Sequence, residues 1–73
     1  MEANNFEQQP DTALLRERAA ARFLSVATAT LQDWRQNNRG PRYLKIGKAV
    51  RYRLGDLREW LDEQTIEPKT ATN

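Results

Sequence analysis

Apolar positions along this chain change period three times, and each change marks a new element. In residues 15–24 they fall at 15, 19, 20, 23 and 24, the spacing of one helix face. Arg16, Glu17, Arg18 and Arg22 then belong to the other face. Ser25 and Val26 break the pattern, and a second helix follows over residues 27–37 with Leu31 and Trp34 inward. Gly40 is the expected left-handed cap of that helix, and Pro41 bars its continuation. In residues 43–53 the period falls to two, with Leu44, Ile46, Val50 and Tyr52 alternating with Lys45, Arg51 and Arg53 around a bend at Gly47. A two-residue loop of Gly47 and Lys48 would set Lys45 opposite Val50 and mix the faces. A three-residue loop of Gly47, Lys48 and Ala49 sets Ile46 against Val50 and Leu44 against Tyr52, so that register is expected. It gives one apolar face, a polar face carrying Lys45 and Arg51, and Lys48 at the tip. Leu54, Leu57, Trp60 and Leu61 restore the helical period over residues 55–64, with Asp56 and Glu59 near the favourable end of the helix dipole.

The flanks carry no such pattern. Residues 1–12 are rich in Asn, Gln, Glu and Asp with one lone aromatic, Phe6, and read as a flexible acidic arm, residues 67–73 as a flexible tail, and residues 13–66 as the ordered domain. Phe23, Trp34, Tyr52, Trp60 and the leucines are the expected core. Tyr43, on the opposite face from Tyr52 in the expected register, is left for a DNA sugar or a protein interface.

Composition narrows the function. With 73 residues there is room for one small core, and with no cysteine and no histidine the commonest nucleophile, general base and metal ligands are missing. No enzyme activity, metal, cofactor or small-molecule ligand is expected. No apolar run approaches the roughly 20 residues that span a bilayer, and the acidic start is no signal peptide. A cytoplasmic protein is expected, associated with the nucleoid when bound. The net charge of +2 conceals a segregation: residues 34–55 hold seven basic residues and no acid, while the remainder holds five basic and ten acidic ones, +7 against −5. Such a block is the footprint of a polyanion partner.

Helix, short turn, helix, β-ribbon and helix make a mainly α winged helix-turn-helix, whose second helix suits the major groove and whose ribbon meets phosphates or an adjacent groove. The chain resembles the small MerR-like winged-helix family of phage and mobile-element excisionases and AlpA-type regulators. The resemblance rests on A-A-x-x-L-x-V at 20–26, T-L-x-x-W-R at 30–35, Gly40-Pro41, K-I-G-K-A-V-R-Y-R at 45–53 and D-L-x-x-W-L at 56–61, and spans about fifty of the 73 residues. It implies a recombination directionality factor. Such a protein binds double-stranded DNA cooperatively beside an attachment site, bends it, and biases an integrase toward excision of the mobile element. A second reading is a transcriptional regulator of a prophage or integrative element. A third is a degenerate helix-turn-helix that binds protein as an antiactivator.

Candidate DNA contacts follow from the helical wheel and the ribbon. Gln32 and Gln36 suit adenine edges and Thr28 suits a phosphate or a thymine methyl, with Thr28, Thr30 and Arg35 at the flanks of the outward face. Lys48 and Arg51 are the leading phosphate contacts, Lys45 and Arg53 follow, and Arg39 and Arg42 either reach phosphates or cap the second helix. Many relatives carry Ser-Arg-Ser where this chain has Ala27, Thr28 and Ala29, and Asp33 faces outward as a repelling carboxylate, so direct base readout is sparse. Four to seven neutralised phosphates correspond to a log–log salt slope of about −4 to −6. The acidic arm is a candidate to lie against the basic wing.

Overall fold

The computed structural model describes residues 6–68. The expected arm and tail therefore lie outside the described residues at 1–5 and 69–73. A short 3-10 turn, Phe6–Gln8, precedes β1 (Leu14–Leu15), α1 (Glu17–Leu24), α2 (Thr28–Gln36), β2 (Leu44–Ile46), β3 (Ala49–Arg53) and α3 (Leu54–Gln64). The fold is the anticipated winged helix-turn-helix, three helices with a small antiparallel sheet, and the sheet has three strands in the order β1-β3-β2. The third strand comes from Leu14 and Leu15, which open no helix. They pair with Arg53 and Tyr52, and α1 begins two residues later than the apolar spacing suggests.

Both helices of the motif end on a non-glycine residue in the left-handed region. After α1, Ser25 has φ 60 and the Val26 N–H reaches the Ala21 carbonyl at 3.0 Å. After α2, the left-handed residue is Asn38 (φ 57), with Asn38 N–H on Arg35 O at 3.3 Å and Arg39 N–H on Trp34 O at 2.7 Å. Together those two bonds form a Schellman cap. Asparagine, not the expected Gly40, thus supplies the cap. Gly40 (φ +80) serves a different need, since a Cβ there would lie 3.1 Å from Trp34 Cβ and Cε3. Gly40→Ala combines backbone strain with a clash and is expected to cost about 1–3 kcal/mol in urea unfolding.

The core is Leu15, Ala20, Ala21, Leu24, Leu31, Tyr52, Leu54 and Leu57, with Phe23, Trp34, Val50 and Trp60 packed around it. The Trp34 and Trp60 rings stand 5.5 Å apart and join α2 to α3. Residues 6–12, expected in the flexible arm, are docked instead. Phe6 meets Phe23 edge to face at 5.1 Å. Arg58 donates to the Phe6 carbonyl at 2.9 Å and pairs with Asp11, whose carbonyl accepts from Gly55 N–H at 2.9 Å. One aromatic anchor and one arginine hold this polar segment against α1 and α3, so it does not lie along the basic wing.

The hairpin has the register that the alternation argument rejects. Leu44 faces Arg51, Lys45 faces Val50 and Ile46 faces Ala49, across a two-residue loop of Gly47 and Lys48. Gly47 has φ 62, and glycine with positive φ at the first loop position is what a II′ turn requires. Only the inner end of the sheet, at Leu15, Val50 and Tyr52, lies over the core. The projecting end has no apolar face to bury, so the turn decides the register.

Candidate nucleic-acid interface

Three bonds to one carboxylate fix the recognition helix to the wing. Arg35 on α2 donates to Glu17 on α1 through Nε (2.8 Å) and Nη2 (3.1 Å), and the Tyr52 hydroxyl on β3 donates to the same carboxylate at 3.0 Å. The Arg35 and Glu17 side chains are only 17% and 16% exposed. The guanidinium bonds hold the Glu17 carboxyl below its ordinary value, and Glu17 in turn raises Arg35. Burial first, then the bond to Glu17, pushes the Tyr52 hydroxyl up. Arg35 Cζ also sits 5.8 Å from the centre of the Tyr43 ring, itself 6.0 Å from the Tyr52 ring. Tyr43 and Tyr52 therefore share a face, contrary to the expectation from the other register.

The apolar spacing puts Glu17 on the charged face of the first helix, opposite the core. It lies three, four and seven residues before Ala20, Ala21 and Leu24, the three buried positions of α1. That spacing was the available signal.

The outward side of α2 carries Ala29, Gln32, Asp33 and Gln36, all exposed, as the wheel anticipates, while of the flanking threonines Thr28 is exposed and Thr30 half-buried. Asp33 accepts from Asn37 Nδ2 through its side chain at 3.0 Å and through its carbonyl at 2.8 Å, which ties this carboxylate to the helix end. Ala27 gives α2 no side-chain cap, leaving the Thr28 and Ala29 amides open to an anion such as a phosphate oxygen.

The corrected register redistributes the wing charges. Arg51 and Arg53 share the outer face with Leu14, Leu44, Ala49 and Ile46, whereas Lys45 lies on the face of Val50 and Tyr52. Lys48 occupies the loop tip. Among the described residues Arg39, Arg42, Lys45 and Lys48 make no hydrogen bond or ion pair. Arg51 donates to the Val50 carbonyl at 2.8 Å, and Arg53 approaches Asp56 at 3.4 Å in an exposed and weak pair. The carbonyls ending α2 are met by backbone amides and Asn37, so neither Arg39 nor Arg42 caps them. Arg42 instead lines a shallow cavity of about 220 Å³ with Gly40, Trp60, Asp56, Glu59 and Glu63. The basic segment is thus divided. Arg39, Lys45, Lys48 and Arg51 present charge outward, Arg53 is held weakly by Asp56, Arg35 is engaged by Glu17, and Arg42 lines a cavity with three carboxylates.

A two-helix unit with an exposed second helix, followed by a β-wing, is also what comparison with known families returns. The family model described as a helix-turn-helix domain matches residues 14–65. The chain belongs to the helix-turn-helix domain family. That family includes AlpA- and excisionase-like proteins, and a helix-turn-helix domain points to DNA binding. No curated protein matches the chain. In this helix-turn-helix domain the match begins at β1 and ends at Thr65, directly after α3. No helix of the described residues is long and apolar enough to cross a membrane.

Proposed function

We propose that this helix-turn-helix protein is a DNA-binding accessory factor, an excisionase that binds in several copies beside an attachment site and biases an integrase toward excision of a mobile element. The observation that carries the reading is the imbalance on the α2 and wing surfaces. Gln32 and Gln36 are the only outward α2 side chains with the donor and acceptor pair that reads adenine, while Arg39, Lys45, Lys48 and Arg51 offer charge without sequence information. Affinity then comes mainly from phosphates. Selectivity comes from neighbouring copies and from the ease with which the site bends. The resemblance in the wing and third-helix motifs supplies the link to excision.

The test is an in vitro excision reaction with the neighbouring integrase, with and without this protein. Excision is expected to depend on the protein, and circularly permuted duplexes are expected to show a bend. A single short footprint with no bend and no effect on excision would refute the reading. Persistence of promoter regulation in cells lacking the integrase would favour a transcriptional regulator.

A further inference from the structure

A second surface lies away from α2 and the wing tip. Leu14, Leu15 and Ala19 floor a groove of about 280 Å³ beside β1 and α1, and Arg16, Arg18 and Arg22 line it. Leu14 is 47% exposed. Among the described residues β1 is an edge strand, because β3 pairs with it on one side and no strand follows on the other. An unprotected edge beside an apolar hollow is a template for an added extended segment. Arg16 and Arg18 are exposed and make no hydrogen bond or ion pair among the described residues. The matching occupant is therefore extended, apolar at its centre and acidic around it.

The chain carries such a segment. After α3, Thr65 adopts an extended conformation (φ −69, ψ 130) and residues 65–68 are exposed without regular structure. Ile66 is 87% exposed, the highest value among the large apolar side chains of the described residues, and Asp62, Glu63 and Glu67 surround it in sequence. We propose that the 65–68 segment of one copy docks in the β1 groove of a second copy, with Ile66 on the leucine floor and Glu63 and Glu67 toward Arg16 and Arg18. This deepens the multi-copy reading above by naming the contact through which neighbours touch.

Geometry selects a second copy over the same chain. The Leu54 N–H bonds the Ala13 carbonyl at 2.9 Å, so α3 starts beside the groove. Its 11 residues then carry the chain about 16 Å away. Two extended residues reach back only about 7 Å. Tail and groove are different patches, so the contact is head-to-tail, and where its rotation does not close it generates an open row of copies.

A contact of this size is weak and transient, so it is sought by following backbone amide resonances of the full chain from roughly 0.05 to 1 mM protein. Leu14, Leu15, Ala19 and Ile66 are expected to shift together with concentration. Ile66→Ser is expected to abolish the shifts, as is Arg16→Glu/Arg18→Glu, and adding Glu63→Arg/Glu67→Arg to the latter is expected to restore them. Concentration-independent spectra would overturn the proposal, and so would shifts that survive Ile66→Ser. Proximity of Ile66 to Leu14 at every dilution would show docking within one chain and would equally overturn it. On a duplex with a single site, Ile66→Ser is expected to bind as wild type, and on adjacent sites to lose cooperativity. Undiminished cooperativity would sink the docking while leaving the DNA reading intact. Failure of wild type to bind any duplex would sink the DNA reading while the spectra still test the docking.

Discussion

Glu17→Ala is expected to leave the protein largely unfolded at room temperature. The substitution strands the Arg35 guanidinium and the Tyr52 hydroxyl, which lose three bonds of 2.8–3.1 Å at once. Removing one partner of a buried ion pair costs about 3–5 kcal/mol, and the residual exposure here places the cost near the lower end. A domain this small has only about 3–5 kcal/mol in total. Circular dichroism and thermal melting check the result. Tyr52→Phe removes one bond only and is expected to cost about 1 kcal/mol. Replacing all three, as in Glu17→Leu/Arg35→Leu/Tyr52→Phe, is expected to recover much of the stability.

The same carboxylate sets a pH dependence with a definite sign. Its folded value is depressed below the ordinary 4.5, so its contribution is complete above that pH and is lost as pH falls through the lower folded value. Thermal stability is expected to be flat from neutral pH to about 5 and to drop below that. Glu17→Gln is expected to lack this component, and an unchanged acid profile in that variant would show that other carboxylates carry it.

The second large effect concerns DNA. Arg39→Gln/Lys45→Gln/Lys48→Gln alters three exposed residues without internal partners, so the fold is expected to persist. With Arg39, Lys45, Lys48 and Arg51 each meeting a phosphate, the log–log salt slope is about −3.6, shallower than the +7 segment suggests. The triple variant is expected to bring it to about −1 and to weaken binding by two to three orders of magnitude at about 0.1 M salt. The loss should be uniform across sequences. Gln32→Ala is expected to change the preference at one base pair by about 1–3 kcal/mol while leaving the slope alone. A slope that the triple variant does not alter would exclude these residues from the interface.

Element order and the inward residues of α2 were legible because helices of this size show their core as periodicity. What escaped was set by neighbours far away in sequence. Leu15 fits the helix pattern locally, and only pairing with Arg53 and Tyr52 makes Leu14 and Leu15 a strand. The hairpin register was misread because alternation assumes a buried face, whereas Ile46 remains 53% exposed on a wing that projects past the core. At the site, the exposed α2 residues and the loop-tip Lys48 stand where the pattern places them. Arg35 was legible as a cation, but its engagement by Glu17 required knowing that a residue 18 positions earlier faces the same interior. Phe6 was visible only as a lone aromatic, and its partner Phe23 gives it meaning.

The third strand also governs how the wing is assembled in time. β2 and β3 are joined by a two-residue loop, but Leu15 and Tyr52 are 37 positions apart, and Leu14 and Arg53 are 39. The hairpin is a local contact that closes in microseconds, whereas the β1 pairing must first draw the two ends of the domain together. A chain leaving the ribosome therefore cannot complete its sheet until Arg53 has emerged. The helix pair waits on the same event, because Tyr52, Leu54 and Leu57, three of the eight buried core residues among those described, reach it only with β3 and α3. Folding is expected to be one concerted step whose rate follows the long closure, with no stable helix-turn-helix subdomain preceding it.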